Sequence, residues 1–152
     1  MALRMFPIAA LLWLLACAAP SSAADRPAAE PGALAAMDAF MAAFNARDVA
    51  AWADSLHFPH VRIASGEVLV YPDREAFIAA MDLDAFAAQT GWRRSAWDGM
   101  RVIQASPQKV HIAVTFTRYD ADGAKMASYD SLYVVENVAG RWGVRARSSF
   151  AP

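Results

Sequence analysis

Val110-His111-Ile112-Ala113-Val114-Thr115-Phe116-Thr117 alternates apolar and polar residues with a period of two, the pattern of a strand with one buried face. No other stretch constrains the fold as tightly. Two strand-like runs follow it, Met126 to Glu136 and Trp142 to Phe150, entered through Asp120-Ala121-Asp122-Gly123-Ala124 and Asn137-Val138-Ala139-Gly140-Arg141. A glycine at the fourth position of each suits a three-residue hairpin loop that closes on a left-handed residue. Asp120 should then face Ala124, and Asn137 should face Arg141.

That geometry sets the register. Val114 is expected opposite Asp130, Ile112 opposite Leu132, Leu132 opposite Ala146, Val134 opposite Val144 and Asp130 opposite Ser148. One face gathers Val110, Ile112, Val114, Phe116, Met126, Leu132, Val134, Trp142, Val144, Ala146 and Phe150 as a core, while His111, Thr115, Thr117, Tyr119, Tyr129, Ser131, Tyr133, Arg141, Arg145 and Arg147 take the other. Because side chains alternate, a slip of one residue would exchange the two faces.

Upstream, Leu34, Met37, Phe40, Met41 and Phe44 form an apolar stripe at helical spacing, and Asp48 suits the cap of a second, shorter stripe of Val49, Trp52 and Leu56. Phe58-Pro59 should end that helix. Val61 to Ile63 and Val68 to Val70 read as a small hairpin about Ser65-Gly66. Asp73 can cap a third helix carrying Phe77, Ile78, Met81 and Phe86, closed by Gly91. Trp92 to Gln104 reads as a fourth long strand, with a bulge at Asp98-Gly99.

The net charge of −1 over 152 residues gives no polybasic character, so nucleic acid is not an expected partner. Residues 1–24 read as a leader, with Arg4, a short apolar run from Ile8 to Ala16, and small residues at Ser22-Ala23-Ala24. The single cysteine, Cys17, follows Leu14-Leu15-Ala16, similar to a lipoprotein cleavage box. Two processing routes stay open, and both export the chain to the periplasm; only lipidation of Cys17 would attach it to a membrane. Residues 25–31, rich in Pro and Ala, read as a tether, and 32–152 as one domain held by burial without a disulfide.

Helices followed by antiparallel strands make an α+β domain. With Phe40-Met41-Ala42-Ala43-Phe44-Asn45-Ala46-Arg47-Asp48 and the closing Gly140-Arg141-Trp142-Gly143-Val144, the chain resembles the nuclear transport factor 2-like superfamily, which includes ketosteroid isomerases and polyketide-cyclase-like proteins. The resemblance implies a cone-shaped curved sheet with about three helices on its concave face, a cavity open at one end, and frequent homodimers. It carries no catalytic motif across.

In such a cavity the informative residues are polar groups on the inferred apolar face. An ionised carboxylate there needs a partner or a raised pKa. Asp130 is one, and Asp98, about 10 Å away across two strand spacings, is the second. Ser148, His57, Tyr71 and Phe150 complete the candidate set. No metal or cofactor is expected, since His57, His60 and His111 lack ligand spacing. Three readings stay open: a binding or accessory domain for a small apolar or aromatic ligand, a cofactor-free isomerase, dehydratase or hydrolase using Asp130 and His57, and a partner-binding module with a filled interior. Tyr129, Tyr133, Arg145 and Arg147 are the expected homodimer face.

Overall fold

The α1 helix (Arg26–Ala46) buries Ala29, Ala33, Met37, Phe40 and, more partly, Phe44, one stripe at spacings of three and four residues. Small residues at its start let it approach the sheet closely. A Cβ added at Gly32 would meet the Trp142 indole at 2.4 Å. The structure is a computed structural model that describes residues 26–152, so the leader and Cys17 lie outside it. Residues expected as a tether are helical from Arg26 onward, with Pro31 inside the helix.

Arg47, at φ 57, breaks α1, and Asp48 then caps α2 (Val49–Asp54) by accepting from the Ala51 N–H at 2.9 Å. Asp73 caps α3 (Arg74–Ala80) in the same way. The expected third helix is two helices. Asp82 caps a separate α4 (Leu83–Thr90), and left-handed Gly91 ends it. Among the described residues no helix is long and apolar enough to cross a membrane.

Six strands form one sheet in the order β2-β1-β6-β5-β4-β3: β1 (Leu56–Ala64), β2 (Glu67–Tyr71), β3 (Arg94–Ser106), β4 (Lys109–Tyr119), β5 (Lys125–Val138) and β6 (Arg141–Ser149). Phe58-Pro59 lies inside β1 and does not end a helix; the helix stops earlier, at Asp54. The β1–β2 hairpin turns through Ser65 and Gly66, both left-handed. It joins the long meander by parallel pairing of β1 with β6, a contact the sequence offers no sign of. Arg141 reinforces that join, donating to the Asp54 and Leu56 carbonyls at 2.9 and 2.8 Å.

Helices cover one face of the curved, unclosed sheet, so the α+β cone expected from the sequence is the fold. Its core is aromatic: Trp52 stands 5.4 Å from Phe40, 4.9 Å from Phe44 and 5.0 Å from Phe77 between ring centroids. Each such side chain contributes about 1.5–3 kcal/mol on burial.

The register of β5 and β6 differs from expectation. Asp120 does face Ala124, bonding its carbonyl at 3.1 Å. Met126 then bulges, since Tyr119 pairs with Lys125 but Arg118 with Ala127. Val114 therefore meets Ser131, and Asp130 meets Thr115. At the next corner Ala139 itself takes φ 52 beside Gly140 at φ 86, making a two-residue turn in which Val138 pairs with Arg141. A further irregularity at Arg145 leaves Leu132 opposite Ser148 and Tyr133 opposite Arg147.

The β4 face stands as expected, with Val110, Ile112, Val114 and Phe116 buried. On β5 the faces are exchanged. Tyr133 and Val135 are interior, whereas Leu132 is 37% exposed.

Candidate functional site

Between the helices and the inner sheet face lies a cavity of about 280 Å³. Phe40 and Phe44 from α1, Trp52 from α2 and Phe86 from α4 form one wall; Trp97, Phe116 and Tyr133 form the other. Asn45 pins the two walls together. Its side chain donates to the Ser95 carbonyl at 2.9 Å and accepts from the Ser95 N–H at 2.7 Å, tying the end of α1 to the start of β3.

Three arginines also line this space: Arg62 from β1, Arg118 from β4 and Arg147 from β6. The ion pairs among the described residues engage Arg47, Arg74, Lys109 and Arg145, not these three. Arg62 donates to the Ser65 hydroxyl at 3.4 Å, and the other two lie against ring faces. The Arg147 guanidinium carbon lies 5.6 Å from the centroids of both Phe40 and Trp52, and that of Arg118 lies 5.0 Å from Tyr129 and 5.1 Å from Phe86.

The Nε atoms of Arg118 and Arg147, and the indole nitrogens of Trp52 and Trp97, are buried without a hydrogen-bond partner among the described residues. Such donors are normally satisfied. Burial lowers the pKa of Arg118, and Arg147 and Arg62 add to the effect; Arg62 is lowered by burial and then by Arg147. Burial raises the pKa of the Tyr133 phenol, against the pull of Arg147. Guanidinium stays charged in such settings, so the cavity is rich in cationic donors and poor in acceptors. Asp82, the acid in its lining, is engaged in capping α4.

Of the candidates read from sequence, Tyr71 lines the cavity. Asp130 is exposed on the outer sheet face, accepting from the Thr115 hydroxyl at 2.6 Å. Asp98 occupies the expected β3 bulge, and its exposed side chain takes a hydrogen bond from Thr117, also on the outer side. Ser148 is exposed, Ser149 lining the cavity in its place, and Phe150 is 83% exposed.

His57 belongs to β1, not to a helix end. Its Nε2 donates to the Arg141 carbonyl at 3.0 Å while Nδ1 accepts from the Arg141 guanidinium at 2.8 Å, and burial lowers its pKa. The proposed Asp130–His57 pair is thereby split, an acid outside the sheet and a histidine engaged elsewhere. Of the residues expected on the dimer face, Tyr133 is buried, Arg147 lines the cavity, Tyr129 packs on Phe116 at 5.6 Å, and Arg145 binds Glu136 at 2.8 Å.

Arg62 and Arg118 did not figure among the sequence candidates. Arg118 was within reach, because the period-two inner positions of β4, Val110 to Phe116, land on it next. Arg62 had no comparable signal, since its place depends on the parallel β1–β6 pairing. Among the described residues no group of three or more His, Cys, Asp and Glu side chains comes together as a metal site would require.

A family model described as NTF2-like protein (DUF6841) matches residues 29–149. The chain belongs to this NTF2-like family. No curated protein matches the chain in sequence. Solved structures share the NTF2-like fold at low identity. A Nostoc punctiforme protein of unknown function with a cystatin-like fold is 12% identical, with a TM-score of 0.67 over 87% of this chain and 94% of that one. A ketosteroid isomerase-like protein from Erwinia carotovora atroseptica is 20% identical, with a TM-score of 0.58 over 80% and 96%. A Catenulispora acidiphila protein in complex with S-DNPA is 17% identical, with a TM-score of 0.65 over 82% and 94%. These likenesses carry the NTF2-like fold and no reaction.

Proposed function

We propose that this NTF2-like domain binds a small organic anion with a flat apolar body, and that it does so without a catalytic step of its own. The supporting observation is that Arg62, Arg118 and Arg147 face one aromatic cavity with no carboxylate in ion-pair reach among the described residues. Carboxylate or phosphoryl oxygens are the complementary groups, because guanidinium presents its donors as a planar fork. Aromatic walls favour a ring system beside the charge. Export through the leader at residues 1–24 is part of the same proposal, and it rests on sequence alone.

Calorimetric titration with 2-naphthoate, and with 2-naphthamide as its neutral counterpart, tests the reading. The acid should bind at least tenfold more tightly than the amide, about 1.4 kcal/mol. Arg118→Gln should remove most of that preference. Equal binding of acid and amide would refute the proposal.

A further inference from the structure

Arg62 and Arg147 are register partners across the parallel β1–β6 pair, and both line the cavity. Their side chains therefore leave the sheet on the same side, with backbones about 4.8 Å apart. Arg118 adds a third guanidinium from β4. Asp82 is the acid in the lining, and its carboxylate accepts from the Ala85 N–H at 2.8 Å. Counted over side chains, the lining thus carries a net positive charge of two.

Like charges side by side on one sheet face are destabilising. Here the protein gives none of the three an ion-pair partner among the described residues. A carboxylate ligand would supply one negative charge. A phosphate monoester supplies close to two above neutral pH, on a head with three acceptor oxygens. Such a head can accept from two adjacent guanidiniums at once.

We infer that the cavity takes a phosphate monoester, its head bridging Arg62 and Arg147 and its organic part against the aromatic wall. This rests on the anion-binding reading above and narrows it to a ligand class. Phe40, Trp52 and Tyr133 supply the surface that would separate an ester from free phosphate.

The test is calorimetric titration at pH 8 with 2-naphthyl phosphate and 2-naphthyl sulfate, which share a body and a tetrahedral head but differ by one charge. 2-Naphthol serves as the body without a head, and inorganic phosphate as the head without a body. The phosphate ester should bind at least about tenfold more tightly than the sulfate ester and more tightly than inorganic phosphate. Arg62→Gln and Arg147→Gln should each cut that preference to about threefold or less, with circular dichroism reporting that the fold is kept. The wild-type comparison stands without either variant. Equal binding of the two esters overturns the inference while leaving the broader anion reading in place. Inorganic phosphate binding as tightly as the ester overturns the monoester assignment, and no advantage of either ester over 2-naphthol overturns both readings.

Discussion

Arg62 and Arg147 stand directly opposite each other on adjacent parallel strands, both lining the cavity and neither ion-paired with an acid among the described residues. Like charges side by side on one sheet face cost the empty protein stability. Arg62→Gln should therefore stabilise the empty protein by about 0.2–1 kcal/mol at low salt, the range for adjacent like charges on a sheet. The gain should shrink in about 1 M NaCl, where the screening length is about 3 Å. Urea melts at the two salt concentrations check this, and a variant less stable than wild type at low salt would contradict it.

His60 should make stability fall with acidity before the carboxylates do. Its ring is 1% exposed, with Nδ1 3.2 Å from the Val144 carbonyl, and burial followed by Arg147 lowers its pKa to about 4. The unfolded chain protonates this ring near its ordinary value of about 6.5 and so binds more protons between the two values. Stability is full above pH 6.5 and is lost as pH drops toward 4, by on the order of 3 kcal/mol. His57, also lowered by burial, acts in the same direction. Glu136, lowered by Lys109 and then Arg145, gives up its contribution only below about pH 4.5. Urea unfolding of wild type and His60→Leu at pH 7, 6 and 5 should show a steep slope in the first and a shallower one in the second.

Two close approaches should resist even one added methyl group. At Gly143 a Cβ would lie 2.9 Å from the His57 ring and 3.1 Å from the Arg141 guanidinium, which already hold each other. At Gly32 it would enter the Trp142 indole. Gly143→Ala and Gly32→Ala are each expected to cost about 1–3 kcal/mol, as overpacked sites do. Chemical denaturation measures this, and a change under about 0.5 kcal/mol in both would contradict the packing described.

Asp130 and Asp98 should prove dispensable for binding. Both are exposed on the outer sheet face, where their partners are the hydroxyls of Thr115 and Thr117. Asp130→Asn is expected to leave 2-naphthoate affinity unchanged and to move stability by no more than about 0.5 kcal/mol. A loss of affinity in that variant would place an acid back in the site.

The contrast between those acids and the arginines marks how far the sequence could be read. Caps at Asp48 and Asp73, the Ser65-Gly66 turn, the Asp98-Gly99 bulge and the inner face of β4 each follow from local chemistry, and each is present. The Asp120–Ala124 corner also closes as its residues imply. What local chemistry does not reveal is the bulge at Met126, the left-handed alanine at 139 and the irregularity at Arg145. Alanine pays a steric cost at positive φ that tertiary packing must override. Each of these events displaces the ladder by one residue, and in a sheet that exchanges inside for outside. A face rich in Tyr and Arg, read as an outer contact surface, is for Tyr133 and Arg147 the cavity wall.

In the proposed binding mode, guanidinium groups inside the domain take their counter-charge from a ligand. The most direct measurement is the nitrogen-15 NMR signal of the arginine Nε–H groups during titration with 2-naphthoate. The signals of Arg62, Arg118 and Arg147 should shift together and saturate, while those of Arg74, paired with Asp54 at 2.6 Å, and exposed Arg93 stay in place. Movement confined to Arg74 and Arg93, or no saturable movement at all, would contradict it.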